Sequence, residues 1–395
     1  MIRVLNSFDL KDRHVLIRVD FNVPVQGEKV TSNFRIKSAL PTIQYCLDHG
    51  AAVILLSHLG RPDGKVDSKL SLIPIGEELA GLLEMPIKFS ENCISEDALD
   101  TSLSLKPGEI HLLENLRFHE GEEKNDPDFA FRLARHGQIF INDAFGTAHR
   151  AHASNVGVVS HFKHHGIGYL MDKEINYLDR VMRRPNRPLT LILGGAKIGS
   201  KIGLIDHFLN KANHILVGGG MAFTFLKAGG RGIGGSLVDE AMIPTARTIL
   251  DRAQSRRVKI SLPKDVVCGE DVHDSNPKGP YKISAIPADL MGLDIGPKTI
   301  ADFNAIIDQS ETVVWNGPMG IFEMDEYSHG SRAVGEKLAQ RTENEATVIV
   351  GGGDTAAAVD KFGLSRQMTH VSTGGGASLE LLSGKRLPAL KMLEI

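Results

Sequence analysis

The sequence has little cysteine, little net charge and no long apolar run. Its three cysteines, Cys46, Cys93 and Cys268, are odd in number and far apart, which argues against a disulfide framework or a CxxC metal site and favours a reducing compartment. The 45 basic and 48 acidic residues nearly cancel, which argues against a general nucleic-acid or membrane-surface partner. No stretch approaches the roughly 18 apolar residues of a membrane span, and residues 1–20 lack a signal-peptide core. We therefore expect a soluble, cytoplasmic protein in which any anion site is local.

Two familiar phosphate-binding motifs are also absent. No GxGxxG follows the first predicted strand. Residues 194–201, GGAKIGSK, depart from the P-loop pattern because Ser200 precedes Lys201. A standard P-loop is therefore not supported, and the missing GxGxxG counts against a nicotinamide-dependent dehydrogenase.

The first half of the chain alternates short apolar runs with helix-length amphipathic segments. Each run ends in polar residues, as in HVLIRVDFNVP, AAVILLSHLGRPDG, EIHLLENLRFHEG and GQIFINDAFGTAHR. This alternation predicts parallel strands buried under crossover helices. Ligands bind at the carboxyl ends of such strands, so the polar ends predict a ligand site.

The second half repeats this alternation with more glycine. Four β-rich runs enter a glycine cluster that opens a helical pattern, in LTLILGGAKIGSK, HILVGGGMAFTFL, ATVIVGGGDTAAAV and MTHVSTGGGASLELL. Glycine permits close backbone approach, and helix N-termini offer free N–H groups, so these turns suit phosphate. One such turn is often only a tight connection, but four together favour a nucleotide domain.

The predicted fold class is α/β, with two doubly wound parallel-sheet (Rossmann-like) domains joined by a helix and hinge. At 395 residues, 42% of them hydrophobic, the chain is long enough for two cores. A helix is predicted in residues 171–185, because Met171, Ile175, Leu178 and Met182 follow helical spacing before Pro185. We expect an N-terminal domain at 1–170 and a C-terminal domain at 186–378, with residues 379–395 docking back onto the first domain.

Several long strings resemble the phosphoglycerate kinase family in the same order along nearly the whole chain. They are RVDFNVP, SHLGRPDG, LLENLRFH, NDAFGTAHRAH, LGGAKI, GGGMAFTFL, WNGPMGIFE, GGGDTA and HVSTGGGASLELL. The resemblance implies a phosphotransferase with a carboxyl group as acceptor. Its reaction, in glycolysis and gluconeogenesis, is reversible transfer from 1,3-bisphosphoglycerate to MgADP, giving 3-phosphoglycerate and MgATP. It also implies a monomer.

Phosphoglycerate is a small polyanion, and the first half has cationic residues at its predicted strand ends. We expect substrate binding by Asp20, Asn22, Arg35, His58, Arg61, Arg117 and Arg150. Each arginine alone could be a surface solubiliser, but their repeated position favours a site. In residues 140–152, Arg150 is the expected ligand-binding residue. Asp143 either positions basic groups or caps the next turn, and His149 and His152 either flank the site or form local hydrogen bonds.

The resemblance assigns the nucleotide to the second half. It places Lys201 on the nucleotide phosphates, Asp354 on Mg²⁺ and Glu323 on the ribose hydroxyls. Asp354 could equally cap its helix, and the two roles are compatible. The other residues implied to line the nucleotide path are Lys197, Gly218, Gly219, Gly220, Leu293, Asn316, Gly351, Gly352, Gly353 and Thr355.

Positive charge and positioning, rather than a base or a covalent nucleophile, should carry this reaction. Arg35 and Lys197 are the expected catalytic cations, and Gly375 and Gly376 are expected to supply backbone N–H groups. Substrate and nucleotide would lie on different domains, so a hinge must close to bring them in line and exclude water. The chain departs from the family at Ser200, where an aspartate usually precedes the second lysine, so the tuning of this site is open.

Two other function classes remain possible from the sequence. A nicotinamide-dependent dehydrogenase could use glycine turns for pyrophosphate, and quenching of the single tryptophan, Trp315, by NADH rather than ADP would identify it. A non-catalytic nucleotide- or sugar-phosphate-binding module would explain the same anion sites without turnover. The presence of Lys197, Arg35 and Asp354 favours catalysis over the second alternative.

Overall fold

Fully buried apolar strands form the centre of each half of the chain. A computed structural model describes residues 1–394. By their internal contacts these residues form two units, which we call unit 1 (residues 1–176 and 386–394) and unit 2 (Tyr177–Lys385). The α/β fold class predicted from the sequence is confirmed, since each unit contains a six-stranded parallel sheet flanked by helices. The functional domain bounds stay a prediction.

Unit 1 contains a parallel sheet in the order β5-β6-β4-β1-β7-β8 and a two-stranded hairpin, β2-β3. Its strands are β1 His14–Arg18, β2 Val25–Gln26, β3 Lys29–Val30, β4 Ala52–Leu56, β5 Ile87–Ser90, β6 Ile110–Leu113, β7 Ile139–Asn142 and β8 His165–Ile167. Its helices are α1 Phe34–Asp48, α2 Ile73–Leu83, α3 Glu96–Leu103, α4 Glu120–Glu123, α5 Pro127–Ala134 and the start of α6 Tyr169–Arg183. The sheet strands before β7 are added on one side of β1, and β7 and β8 are added on the other side. Open α/β sheets bind ligands at the point where the strand order reverses in this way, here between β1 and β7.

Unit 2 contains a parallel sheet in the order β11-β10-β9-β15-β16-β17 and a small antiparallel sheet, β13-β12-β14. Its strands are β9 Leu189–Leu193, β10 His214–Val217, β11 Lys259–Ser261, β12 Asp265–Gly269, β13 Lys278–Lys282, β14 Met291–Ile295, β15 Thr312–Asn316, β16 Thr347–Gly351 and β17 His370–Val371. Its helices, after the end of α6, are α7 Ile202–Phe208, α8 Met221–Ala228, α9 Ile243–Ser255, α10 Pro297–Asp308, α11 His329–Glu343, α12 Gly353–Lys361 and α13 Gly376–Leu382. In this sheet the strand order reverses between β9 and β15.

The last helix, α14 Pro388–Leu393, belongs to unit 1 although the chain reaches it from unit 2. The backbone N–H of Ala389 donates to the carbonyl of Ala148 (3.2 Å), and Ile2 forms an antiparallel bridge with Glu394. Helix α13, by contrast, lies in unit 2. Within residues 1–394, no helix combines the length and apolarity needed to cross a membrane.

Unit 1 contains a buried pair of histidines, His111 in strand β6 and His136 just after α5. The Ser102 hydroxyl bridges Nδ1 of His111 (2.8 Å) and Nδ1 of His136 (2.7 Å), and Nε2 of His111 bonds the Ser90 hydroxyl (2.8 Å). Burial is the main cause that lowers the pKa of each histidine to about 4. Both rings are therefore neutral at pH 7.

Acidification is expected to destabilise the protein through these two histidines. Between pH 6.5 and pH 4 the unfolded chain binds protons that the folded protein does not, so stability falls as pH drops through this window. The loss is up to about 2 kcal/mol per histidine from pH 7 to pH 5. Melting temperatures at the two pH values test this. His136→Gln should shrink the difference and the exposed His164→Gln should not; equal behaviour of the two variants would contradict the expectation.

Candidate functional site

Polar and basic residues of unit 1 gather at the carboxyl edge of its sheet. Asp20 follows β1, His58 follows β4 and Arg117 follows β6, and these three strands are adjacent. Arg35, in the first turn of α1, joins them: its Nη1 donates to Oδ2 of Asp20 (3.1 Å) and to the carbonyl of Asn22 (3.1 Å). The Arg35 side chain keeps 29% of its surface exposed, whereas that of Asp20 keeps 8%. Arg35 is thus held in place while part of it faces solvent.

The loops after these strands are tied to one another. The N–H of Gly60 donates to Oδ1 of Asn22 (3.0 Å), and Nη1 of Arg117 donates to the carbonyl of Gly60 (2.7 Å). Arg117 is 5% exposed and also pairs with Glu123 (3.1 Å). Arg61, the residue after Gly60, is exposed. These hydrogen bonds fix the backbone of the loops that carry the basic residues.

His58 is neutral and has a defined tautomer. Burial lowers its pKa well below the usual value, and the charges of Arg18 and Arg117 act in the same direction. Nη2 of Arg18 lies 3.2 Å from Nδ1 of His58, and because a guanidinium only donates, Nδ1 is the acceptor. The hydrogen of the His58 ring therefore resides on Nε2, and this N–H can donate a hydrogen bond to an anion.

Arg18, which the sequence analysis did not name, contacts His58 at this edge of the sheet. It is 1% exposed, and its Nε donates to the Ser154 hydroxyl (2.8 Å), which donates to Oε1 of Glu122 (2.6 Å). Glu122 is also buried, and burial raises its pKa. The available signal was an arginine that ends a buried strand two residues before Asp20.

The segment 140–152 contains residues with different roles. Oδ1 of the buried Asp143 accepts the N–H of Met171 (3.0 Å) in the first turn of α6, so Asp143 caps that helix rather than the next turn. Burial raises its pKa to about 6. His152, 8% exposed, lies 3.8 Å from Glu122, and burial with nearby arginines lowers its pKa to about 4. Arg150 is half-buried, and its binding role stays a prediction.

In unit 2 the glycine turns lie at the carboxyl edge of the sheet, as the sequence predicts. The turns after β9, β10, β16 and β17 lead towards α7, α8, α12 and α13 respectively. The backbone is crowded there: a Cβ on Gly219 would lie 2.5 Å from the nitrogen of Gly195. The N–H of Gly219 donates to the carbonyl of Met319 (3.0 Å), so this glycine allows close approach without offering a free donor. Gly220 immediately precedes α8.

Lys201 is 8% exposed and points back into this edge. Its Nζ donates to the carbonyls of Gly194 and Asn316, the latter at 3.1 Å. Burial lowers its pKa to about 8, and Asp354 acts in the opposite direction. The side chains of Lys197 and Ser200 are exposed.

The ends of β15 and β16 are joined by side chains that the sequence analysis had named. Nδ2 of Asn316 donates to the carbonyl of Gly351 (2.8 Å), and the Thr355 hydroxyl accepts the N–H of Gly317 (2.6 Å). Asp354 lies in the first turn of α12 with its side chain exposed and not bonded as an N-cap. The helix starts place Gly352 and Gly353 at α12, and Gly375 and Gly376 at α13.

Two further residues named from the sequence lie outside these turns. Leu293 is buried in β14, and its carbonyl accepts the N–H of Ile321 (3.1 Å). Glu323 is exposed two residues beyond that contact. The nucleotide roles given to these residues stay predictions.

The donor set of unit 2 fits a hard cation that is bound mainly through a ligand. Among residues 1–394 there is no group of three or more His, Cys, Asp and Glu side chains that could enclose a metal ion. Asp354 supplies one solvent-facing carboxylate beside the glycine edge. Mg²⁺ commonly takes one or two carboxylates together with phosphate oxygens and waters, so this single acid is compatible with it.

Comparisons with known proteins match one family over nearly the whole chain. A family model described as phosphoglycerate kinase matches residues 5–385. The phosphoglycerate kinase of Thermosynechococcus vestitus is 47% identical over 391 residues, which cover 99% of this chain and 98% of that protein. The one from Chlorobaculum tepidum is 47% identical over 393 residues, 99% of each.

The chain also matches solved structures of the same family. A structure of phosphoglycerate kinase from Coxiella burnetii matches with a TM-score of 0.89 and 40% identity, covering 100% of this chain and 99% of that one. One from Pyrococcus horikoshii matches with a TM-score of 0.82 and 30% identity, covering 100% and 98%.

Proposed function

The chain belongs to the phosphoglycerate kinase family, and we propose that each of its two units holds one substrate of that family's reaction. The reaction is reversible phosphoryl transfer from 1,3-bisphosphoglycerate to ADP, giving 3-phosphoglycerate and ATP. The observation that carries the assignment of substrates is the contrast between two sheet edges. Unit 1 presents the cations Arg35 and Arg117, whereas unit 2 presents glycine turns and Lys201.

On the phosphoglycerate side, Arg35 and His58 have donors suited to anionic oxygens. Both side-chain hydrogen bonds of Arg35 use Nη1, which leaves Nε and Nη2 for a phosphoryl group. The Nε2–H of neutral His58 can donate to a carboxylate or phosphate oxygen. Arg61, Arg117 and Arg150 would bind the other anionic oxygens of the substrate. Asp20 and Asn22 would form hydrogen bonds at its hydroxyl and carboxylate ends.

On the nucleotide side, Lys201 is suited to a phosphate because its ammonium is partly desolvated. With a pKa of about 8 it is mainly protonated at pH 7, and a bound phosphate would favour the charged form further. Lys197 would move onto the transferring group from its exposed position. The starts of α12 and α13 would offer first-turn N–H groups to phosphate oxygens.

Mg²⁺ belongs to this proposal as the partner of the nucleotide phosphates. Asp354 would hold it, and when bound it would neutralise phosphate charge. The remaining chemistry falls to the residues of the chain. The acceptor is already an anion, so no general base is required; Arg35 and Lys197 would stabilise the charge on the transferring oxygens. Transfer requires donor and acceptor in line, so the units must close, which would also exclude water.

An ADP-dependent ATP-formation assay with 1,3-bisphosphoglycerate tests the function and the metal together. We expect turnover with Mg²⁺ and none with a chelator in excess. Asp354→Asn should lower turnover, whereas Asp360→Asn, an exposed acid at the other end of the same helix, should not. Turnover that chelation leaves unchanged would reject the role of Asp354. Nucleotide binding without turnover would indicate the non-catalytic module.

Ser200 allows a test of how the nucleotide edge is tuned. Ser200→Asp adds a carboxylate beside Lys201, so it should change the KM for ADP or kcat by at most about tenfold, roughly 1.4 kcal/mol. The side chain of Ser200 is exposed and bonds only the carbonyl of Lys197 (3.3 Å), so the fold should tolerate the change. Steady-state kinetics measure the effect. Complete loss of activity would show that this edge is built differently from that of its relatives.

We further propose that the protein is a cytoplasmic monomer. The three cysteines are free and buried, which supports a reducing compartment.

A further inference from the structure

The segment Asn316–Met319, which begins with the last residue of β15, holds two glycine turns of unit 2 through its carbonyls. The N–H of Gly194 donates to Asn316 (3.0 Å) and that of Gly195 to Pro318 (2.8 Å). The N–H of Gly219 donates to Met319 (3.0 Å). The turns after β9 and β10 are therefore both attached to this one segment.

The attachment leaves almost no free space. A Cβ on Gly194 would lie 2.0 Å from the carbonyl oxygen of Pro318, and one on Gly218 would lie 2.6 Å from the sulfur of Met319. Met319 is itself fully buried. A displacement of the segment must therefore displace both turns.

One side chain bonds the segment directly, and a second holds the helix start that carries the first. The Ser331 hydroxyl, in the first turn of α11, accepts the N–H of Met319 (2.8 Å). Asp294, 3% exposed, accepts the N–H of Gly330 on Oδ2 (2.7 Å) and that of Ile295 on Oδ1 (2.9 Å). A Cβ on Gly320 would lie 2.4 Å from Oδ1 of Asp294, so this carboxylate also packs closely against the residue that follows the segment.

We propose that Asp294 and Ser331 are positioning residues for the nucleotide. They set the place of the segment Asn316–Met319, which in turn sets the spacing of the turns after β9 and β10. Neither residue bonds a glycine of these turns: Ser331 acts through the segment, and Asp294 acts through the first turn of α11, in which Ser331 lies. The inference rests on the proposed nucleotide site in unit 2, and it adds a specific origin for the geometry of that site.

Two variants break this support in different ways. Ser331→Ala leaves the N–H of Met319 without its acceptor. Asp294→Asn keeps the size of the side chain, but both carboxylate oxygens accept N–H groups, so the amide NH₂ must face one of these donors. Each variant should raise the KM for ADP at least about fivefold and leave the KM for 1,3-bisphosphoglycerate within about twofold. Because burial raises the pKa of Asp294 to about 7, the assays are run above that pH.

Ser328→Ala is the matched control. Ser328 is also buried and directly precedes α11, but its hydroxyl donates to the carbonyl of Asp325 (2.9 Å) and not to the segment. It should lower the melting temperature without raising the KM for ADP. If Ser331→Ala and Asp294→Asn raise both Michaelis constants equally, or behave like Ser328→Ala, the positioning role is overturned.

Lys201→Met distinguishes this failure from a failure of the proposed nucleotide site. If Lys201→Met raises the KM for ADP while the two positioning variants do not, only the inference fails. If Lys201→Met leaves the KM for ADP unchanged, the assignment of the nucleotide to this edge fails, and the inference fails with it. Melting curves of all four variants confirm that each one is folded before the kinetics are compared.

Discussion

Replacing Arg35 by alanine is expected to lower kcat by a factor on the order of a hundred or more, with much smaller changes in both Michaelis constants. A charged donor that is already positioned at a transferring phosphoryl group is worth several kcal/mol in the transition state. Arg35 meets this condition because Asp20 and the carbonyl of Asn22 fix its Nη1 while part of the side chain stays exposed. Steady-state kinetics with both substrates varied measure the effect.

Arg61→Ala is the control for this result. Arg61 is exposed and is proposed to bind the non-reacting end of the substrate, so its loss should raise the KM for phosphoglycerate and leave nucleotide binding nearly intact. Both variants remove one positive charge from unit 1, so a purely long-range electrostatic effect would make them alike. If Arg35→Ala raised only the phosphoglycerate constant, its catalytic role would be wrong and Lys197 would have to act without it.

Arg18→Met is expected to destabilise the protein by about 3–5 kcal/mol, because it takes from the buried Glu122 the nearby positive charge that acts on it most strongly. The change also removes the donors to Ser154 and to Nδ1 of His58. For a unit of this size such a loss lowers the melting temperature by about 10 °C. Thermal denaturation followed by circular dichroism measures it.

Arg13→Met provides the comparison for Arg18. Arg13 is exposed just before β1, so its replacement should change stability by less than about 0.5 kcal/mol. Adding Glu122→Gln to Arg18→Met should recover part of the lost stability, since the uncompensated carboxylate is then gone. An Arg18→Met protein as stable as the Arg13→Met protein would contradict the stabilising role given to the Arg18 charge.

The sequence predicted all but one of the long central strands and the edges at which they end; the exception is β15, Thr312–Asn316, which was not identified although it is fully buried. Strands β1, β4, β9 and β16 have buried apolar side chains, and such runs are recognisable without a structure. Strands β8 and β11 were not identified, because they have three residues each and lie at sheet edges with few apolar side chains. The small antiparallel sheet was missed as well; β13 is largely exposed and contains Gly279 and Pro280.

The candidate site was predicted where charge follows an apolar run, and missed where charge lies inside one. Arg18 occupies a strand position that reads as core, and its partners Ser154 and Glu122 come from distant parts of the chain. The capping of α6 by Asp143 joins residues on different elements, so the sequence offered only the next turn as a structure for Asp143 to cap, and that alternative was wrong. The positions of Asp294 and Ser331 likewise depend on tertiary contacts.

The placement of α14 affects the order in which the protein can fold during synthesis. A ribosome that has released residues 1–176 has not yet made the helix whose Ala389 bonds the carbonyl of Ala148. Unit 2, which is continuous from Tyr177 to Lys385, is complete in the emerging chain before the C-terminal segment of unit 1 exists. Unit 1 therefore starts first and is completed last, and in a nascent chain its surface around Ala148 stays uncovered while unit 2 folds.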